Sequence, residues 1–263
     1  MNLNLKGKNA FVCGSSKGIG KATAIELAKM GAEITLIARS ETALRTVLQE
    51  LDTSHGQSHD LIVADFTRPD LVQALAKNYL DKSKKQIHIL INNTGGPPGG
   101  PITEATTEAF LKAYQMHLFC SHLLSQAVLP GMKEAGFGRI INIISTSVKI
   151  PINGLGVSNT TRGAMASWSK TLSNEVGKFG ITVNNVLPGF TETERLEEII
   201  QANAKKSGHS AEEVAASMKQ TTPAQRFASP EEIASVAAFL ASPSASYVNG
   251  TNIPVDGGRT GSL

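Results

Sequence analysis

The stretch CGSSKGIG, residues 13–20, joins an apolar β-rich run, NAFVCG (Asn9–Gly14), to a segment of helical periodicity, KGIGKATAIELAKMGA. In that segment Ala24, Leu27, Ala28 and Gly31 recur at i, i+3, i+4 and i+7, which marks one helical face. A glycine-rich turn from strand to helix suits a phosphate. Gly14 permits a tight turn, Gly18 lets backbone approach the ligand, and Gly20 lets the helix pack close to the sheet. The free N–H groups of the helix N-terminus then face the anion. A glycine pattern is a weak signal without that strand-to-helix context, and a plain βα turn is the alternative.

The same alternation continues outward. EITLIA is a strand, SETALRTVLQEL a helix and HDLIVAD a strand; RPDLVQALAKNYL is helical, and IHILINN is a nearly all-apolar strand, as expected where both sheet faces are covered. A long helix is predicted from Thr107 to about Leu129, then strand RIINIIS, a helix opening at GVSNTTR, and strand ITVNNVLP. Glu192–Gln220 reads as polar helix. SPEEIASVAAFLAS is a helix with Ser229 capping ahead of Pro230, Glu231 and Glu232, and TNIPVDGG closes as a strand. Repeated β-α order without linker or repeat predicts an α/β fold: one doubly wound parallel sheet, helices on both faces, in a single domain over 1–263.

Composition bounds the function. The chain has 263 residues, 41% of them apolar, enough for a sizeable core, and a net charge of only +3. The one basic cluster, Lys82, Lys84 and Lys85, reads as a solvated loop rather than a nucleic-acid patch. Cys13 and Cys120 have no metal-ligand spacing and indicate no disulfide framework, so no metal is expected. The opening MNLNLKGKNAFV lacks a signal peptide's apolar region, and no stretch approaches a membrane span. The expectation is a soluble cytoplasmic protein acting on a small molecule, without nucleic-acid or membrane partners.

The G-x3-G-x-G spacing resembles the short-chain dehydrogenase/reductase family, and other segments agree in order. VADF puts Asp65 where the family contacts adenine. INNTGG (Ile91–Gly96) is similar to the family's N-N-A-G. NNVLPGFTET is similar to its N-x-x-x-P-G-x-x-x-T, with Asn184, Pro188, Gly189 and Thr193. PAQRFASPEEIASVAAFLAS and YVNGTNIPVDGG resemble the C-terminal segments best known in 3-oxoacyl-carrier-protein reductases, so the resemblance spans essentially the whole chain. It implies a Rossmann fold and a nicotinamide cofactor held by Gly14, Ser16, Lys17, Gly18, Ile19, Gly20, Arg39, Ser40, Asp65, Phe66, Asn93, Gly95, Arg162, Pro188, Gly189, Thr191 and Thr193. The second strand ends TLIARSE, presenting Arg39 and Ser40 without an early carboxylate, and Lys17 adds a charge. Arg suits a 2′-phosphate, which favours NADP(H), with NAD(H) the alternative.

The resemblance also implies hydride chemistry on a carbonyl or alcohol, served by a Tyr acid/base, a Lys four residues on, a Ser thirteen residues before the Tyr and an Asn on the previous helix. This chain keeps Ser145, with Ser147 a register alternative, but carries Ser158 for the Tyr, Arg162 for the Lys and His117 for the Asn. A phenol titrates near about 10 and can be tuned by a neighbouring cation, whereas a Ser hydroxyl is a far weaker acid and Arg stays protonated. His117, with an ordinary pKa of about 6.5, offers a proton donor or relay, or simply packs in the core. Lys149, four residues after Ser145, either meets an anionic substrate or lies in solvent; Tyr114 reads as core or interface.

The loop TGGPPGGPITEAT (Thr94–Thr106) falls at the substrate edge of such a sheet, and Phe190–Gln220 takes the family's lid position. Two functions are carried forward. One is an NADP(H)-dependent oxidoreductase with an altered proton-transfer site, using Ser145, Ser158, Arg162 and His117. The other is a non-catalytic NADP(H)-binding protein with a regulatory or assembly role. The resemblance further implies a homo-tetramer or homo-dimer built on helices at Thr107–Leu129 and Val157–Phe179.

Overall fold

The apolar runs pair into one seven-stranded sheet in the computed structural model, which describes residues 1–262. The strands are β1 (Asn9–Cys13), β2 (Glu33–Ala38), β3 (Asp60–Val63), β4 (Ile89–Asn92), β5 (Gly138–Ile143), β6 (Ile181–Pro188) and β7 (Asn252–Val255). Their order is β3-β2-β1-β4-β5-β6-β7 and every adjacent pair is parallel. The order reverses between β1 and β4, so a crevice opens there beyond the carboxyl ends of the strands.

Side chains alternate across the sheet and sort into two cores. Ala10, Val12, Leu36, Ile91 and Ile141 pack with α1 (Gly18–Lys29), α2 (Glu41–Glu50) and α9 (Pro230–Ala241). Phe11, Cys13, Leu90 and Ile140 face the other way, onto α3 (Pro69–Ser83), α5 (Cys120–Glu134) and the end of α6 (Gly156–Val176). Both faces are covered, which is why the strands read as continuous apolar runs.

One row across the second face is polar. Asn92, Asn142, Asn185 and Asn252 stand in register on β4, β5, β6 and β7. Each donates or accepts to the next: Asn92 Nδ2 to Asn142 Oδ1 at 2.8 Å, Asn142 Nδ2 to Asn185 Oδ1 at 2.9 Å, Asn185 Nδ2 to Asn252 Oδ1 at 2.7 Å. Ser169 of α6 joins this ladder, accepting from Asn142 Nδ2 and donating to Asn185 Oδ1. Buried amides are tolerable only when paired, and these pairs fix α6 against the strand ends.

Three helical expectations are corrected. Gly31 lies outside α1: the chain turns at Met30, and Gly31 takes φ +95° where it passes the Lys6 backbone. The helix expected over Thr107–Leu129 runs from Thr107 to Glu134, as α4 (Thr107–Tyr114), a π-helical turn (Gln115–Phe119) and α5. The polar helix expected over Glu192–Gln220 is two, α7 (Glu194–Ser207) and α8 (Ala211–Gln220). Gly208 in the left-handed region ends the first, and a Ser210–Glu213 capping box starts the second. At α9 the Ser229 N–H donates to Glu232 as the sequence implies.

Candidate functional site

The glycine loop sits at the carboxyl end of β1, beside the crevice. Gly14 (φ +59°) passes so close to Asn93 that a Cβ there would lie 2.6 Å from the Asn93 carbonyl oxygen. A Cβ on Gly20 would overlap the Gly14 carbonyl and stand 2.7 Å from Asn93 Nδ2. Asn93 Nδ2 reaches the Cys13 and Gly14 carbonyls, both at 3.3 Å, so the β4 loop braces the turn. Gly18 (φ +55°) meets the Thr193 methyl at 3.2 Å from a built Cβ, which puts the β6 loop directly across the cradle. Lys17 precedes α1 in extended conformation with no side-chain cap, so the first N–H groups of the helix face outward for an anion. This cradle, closed to a Cβ at Gly14 and Gly20, fits a dinucleotide pyrophosphate.

The adenosine end is less simple than its sequence. Arg39 and Ser40 are exposed at the end of β2, but the Ser40 hydroxyl caps α2, accepting from Ala43 N at 3.3 Å. Lys17 is ion-paired with Glu194 at the start of α7, so its charge is not free for a phosphate. Asp65 is exposed and accepts from Thr67 N at 2.9 Å; that bond, then the charges of Arg39 and Arg68, hold its carboxyl below the usual range. Phe66 is 7% exposed and its side chain packs in the core, while its carbonyl accepts from Cys120 Sγ at 3.2 Å.

The β6 loop is fixed by its own backbone and side-chain bonds. Gly189 lacks a side chain because Asp256 passes behind it, 2.7 Å from a built Cβ. Thr191 is buried and donates to the Gly189 carbonyl at 3.2 Å, while Thr193 caps α7. Asn184 faces away from the crevice and holds the chain after α9, donating to Val248 O at 2.7 Å and accepting from Thr251 N at 3.2 Å. Pro188 ends β6, half-buried at the crevice, and Ser16 and Ile19 flank Lys17 and Gly18 in the loop. Ser15, absent from the sequence expectations, is fully buried and accepts from Ile37 N at 3.0 Å, tying the loop to β2. Its only sequence signal is a small hydroxyl inside the glycine run.

The second half of the site gathers at the end of β5. Ser145 is half-buried two residues past the strand, its hydroxyl accepting from Ser147 N at 3.1 Å and still free to donate. Ser147 Oγ is buried without a partner among the described residues, so Ser145 is the one of the pair open to a ligand. Ser158 is half-buried in the first turn of α6, and Arg162 follows one turn later on the same face. Arg162 is 7% exposed and donates from Nη1 to the Ile143 carbonyl at 3.0 Å. Its Nε is buried without an acceptor among the described residues, and burial lowers its pKa to about 10, leaving it cationic at neutral pH.

His117 lies in the π-helical turn, where one extra residue per turn brings the ring inward. It is 3% exposed and its Nε2 has no partner among the described residues. Burial, then the Arg162 charge, pushes its pKa well below 6.5. That direction favours the uncharged imidazole at neutral pH, a form suited to relaying a proton or to packing in the core. Lys149 is exposed at the rim, and Tyr114 lies against Phe119, their ring centroids 6.4 Å apart.

The loop at 94–101 forms the far wall. Gly95 is exposed with open space around it, and a Cβ on Gly96 would lie 3.8 Å from Arg162 Nη2. Gly100 exchanges backbone bonds with the segment before α6, donating to Gly154 O at 2.7 Å and accepting from Gly156 N at 3.1 Å. Arg195 of α7 donates to the Pro97 carbonyl at 2.9 Å. Neither Glu194 nor Arg195 is legible as a cleft residue from the sequence, since both look like solvated helix charges. No helix among the described residues is long and apolar enough to cross a membrane.

Residues 14–260 match the family model described as Enoyl-(Acyl carrier protein) reductase. The chain is 33% identical over 256 residues to the 3-oxoacyl-(acyl-carrier-protein) reductase FabG of Vibrio cholerae, covering 97% of this chain and 98% of that one. It is 32% identical over 258 residues to the 7alpha-hydroxysteroid dehydrogenase of Escherichia coli, covering 98% and 96%. Among solved structures it is similar to L-sorbose reductase from Gluconobacter frateurii complexed with NADPH and L-sorbose, with TM-score 0.93, 33% identity and full coverage of both chains. The chain therefore belongs to the short-chain dehydrogenase/reductase family.

Proposed function

We propose that this protein is an NADP(H)-dependent oxidoreductase acting on a carbonyl or alcohol through an altered proton-transfer site. The observation that carries the reading is the opening of the glycine cradle, Ser145 and Arg162 onto one strand edge. The NADPH complex of the similar L-sorbose reductase supports the cofactor, as does the exposed Arg39 at the end of β2. NAD(H) is the less favoured cofactor because no carboxylate stands at that strand end to take a ribose hydroxyl.

The chemistry a bound NADP(H) supplies is hydride transfer. The N–H groups opening α1 hold the pyrophosphate, and Arg39 holds the 2′-phosphate. Ser145 donates its hydroxyl to the substrate oxygen, fixing the carbonyl. Ser158 adds a second hydrogen bond, and Arg162 offers Nη2 to the cofactor ribose and stabilises negative charge developing on that oxygen. With His117 neutral and no phenol, solvent supplies the proton, passing His117 as a relay.

The whole chain, 1–263, acts as one domain in this account. Residues 190–220 form its lid, supported by the Lys17–Glu194 ion pair and the Arg195–Pro97 bond bridging the crevice. We place the protein in the cytoplasm as a homo-tetramer or homo-dimer through α4–α5 and α6. The second reading, a non-catalytic NADP(H)-binding protein, draws on the missing phenol and the lowered His117 pKa. Fluorescence titration with NADPH and NADH, followed by NADPH oxidation against a carbonyl panel, separates the two. Turnover on any substrate supports the enzyme; tight NADPH binding with no turnover supports the second reading.

A further inference from the structure

Helix α6 carries three buried hydroxyls, and they are not alike. Thr161 donates to the Val157 carbonyl at 2.9 Å, and Ser173 donates to the Lys170 carbonyl at 2.7 Å. Both bonds stay inside the helix and hold it to nothing. Ser169, only 1% exposed, reaches out to the sheet. It accepts from Asn142 Nδ2 of β5 at 2.8 Å and donates to Asn185 Oδ1 of β6 at 2.7 Å.

Its place along the helix gives that contact its reach. Ser158, Arg162 and Ser169 fall at i, i+4 and i+11, which at about 100° per residue keeps all three within about 40° of one face. The face that carries the site is therefore tied to the sheet twice. Arg162 Nη1 donates to the Ile143 carbonyl at 3.0 Å, and two turns on Ser169 engages Asn142 and Asn185. Asn142 stands three residues before Ser145, and Asn185 three before Pro188. Asn92, at one end of the same amide ladder, immediately precedes Asn93, which braces the glycine turn.

A hydroxyl is a stricter reference than the apolar contacts around it. Met165, Leu172 and Val176 bury area, and that attraction is non-directional, so it changes little when a helix slides or turns. Ser169 uses one donor and one acceptor in a dry interior, and both are met in a single register. A slip of one residue would set Trp168 or Lys170 opposite the amides and swing Ser158 and Arg162 by about 100°.

We infer that Ser169 is a positioning residue: its bonds to Asn142 and Asn185 set the rotation and register of α6, and through them the placement of Ser158 and Arg162 against Ser145. Ser169 is enclosed by protein and moves no proton. Its bearing on hydride transfer rests on the oxidoreductase reading; its hold on α6 does not.

Ser169→Ala tests it, with Ser173→Ala as the matched change on the same helix. Without the Ser169 hydroxyl, Asn142 Nδ2 still donates to Asn185 Oδ1, so no amide is orphaned and the melting temperature should fall by no more than about 4 °C. Amide hydrogen exchange over residues 157–165 should nevertheless quicken about tenfold or more, while α1 and α9 stay within about twofold. On a carbonyl that the wild type reduces, kcat should fall about tenfold or more with KM for that carbonyl moving less than about threefold. Ser173→Ala should leave exchange and turnover within about twofold of wild type. Unchanged exchange over 157–165 in Ser169→Ala overturns the inference, as does quickened exchange with kcat intact, or an equal response to Ser173→Ala. Should the wild type reduce no carbonyl, the oxidoreductase reading falls, and the exchange readings alone uphold or overturn the hold of Ser169 on α6.

Discussion

Arg162 of α6 reaches across to the end of β5 and donates from Nη1 to the carbonyl of Ile143 at 3.0 Å, two residues before Ser145. The bond ties the helical face carrying Ser158 to the strand end carrying Ser145. It also keeps a guanidinium out of water, with Nε unsatisfied.

That arrangement sets function against stability at one residue. Replacing a buried charge by an apolar side chain of similar size is commonly neutral or stabilising, and the loss here is one carbonyl acceptor worth about 1–3 kcal/mol. Arg162→Leu should therefore change unfolding free energy by no more than about 2 kcal/mol in either direction while abolishing turnover. Urea denaturation checks the first half; a loss above about 4 kcal/mol would mean that Arg162 is a structural tether.

His117 carries a pH signature. Its folded pKa is lowered by burial and by Arg162, so the unfolded chain binds the extra proton first. Stability then falls as pH drops below about 6.5, by up to about 1.4 kcal/mol per pH unit for one such group, until the folded pKa is reached. His88, also lowered by burial, adds a slope of the same sign. In His117→Asn the decline between pH 6.5 and 5 should be shallower by one proton, measured by denaturation at both pH values. An unchanged slope would place His117 in a more solvated setting.

Gly20 tests the cradle. A methyl there would overlap the Gly14 carbonyl and press on Asn93 Nδ2. Gly20→Ala should cost about 1–3 kcal/mol through forced backbone shifts and weaken NADPH binding tenfold or more. Stability and affinity both unchanged would contradict the close packing of helix on turn.

Cofactor choice turns on Arg39 rather than Lys17, because Lys17 is engaged by Glu194. Arg39→Asp should weaken NADPH about tenfold or more and leave NADH within a few-fold. Lys17→Ala should change the NADPH/NADH ratio much less. Equal losses for both cofactors in Arg39→Asp would remove it from the 2′-phosphate.

Periodicity and turn chemistry made the sheet, its parallel sense and the glycine loop readable, because each strand and cap follows from local pattern. The π-helical turn at His117 was not readable: a helix with one extra residue keeps its composition and only shifts its face. The break at Gly208 was masked by the polar run on either side, though glycine followed by Ser210 and Glu213 is the signal for it. At the site, Ser145 and Arg162 were named by the resemblance to the family's catalytic positions. What their neighbours do to them was not, since the lowered His117 pKa and the missing counter-ion of Arg162 arise from burial by distant segments. The Lys17–Glu194 pair joins residues 177 apart in sequence, beyond any local pattern.

The most direct test follows deuterium from C4-deuterated NADPH into the product of a carbonyl panel, in wild type and in Ser145→Ala. Deuterium should appear at the former carbonyl carbon. Transfer should fall about a hundredfold or more in Ser145→Ala while NADPH affinity stays within a few-fold. Tight NADPH binding with no deuterium transferred to any substrate, or transfer indifferent to Ser145, would contradict the account.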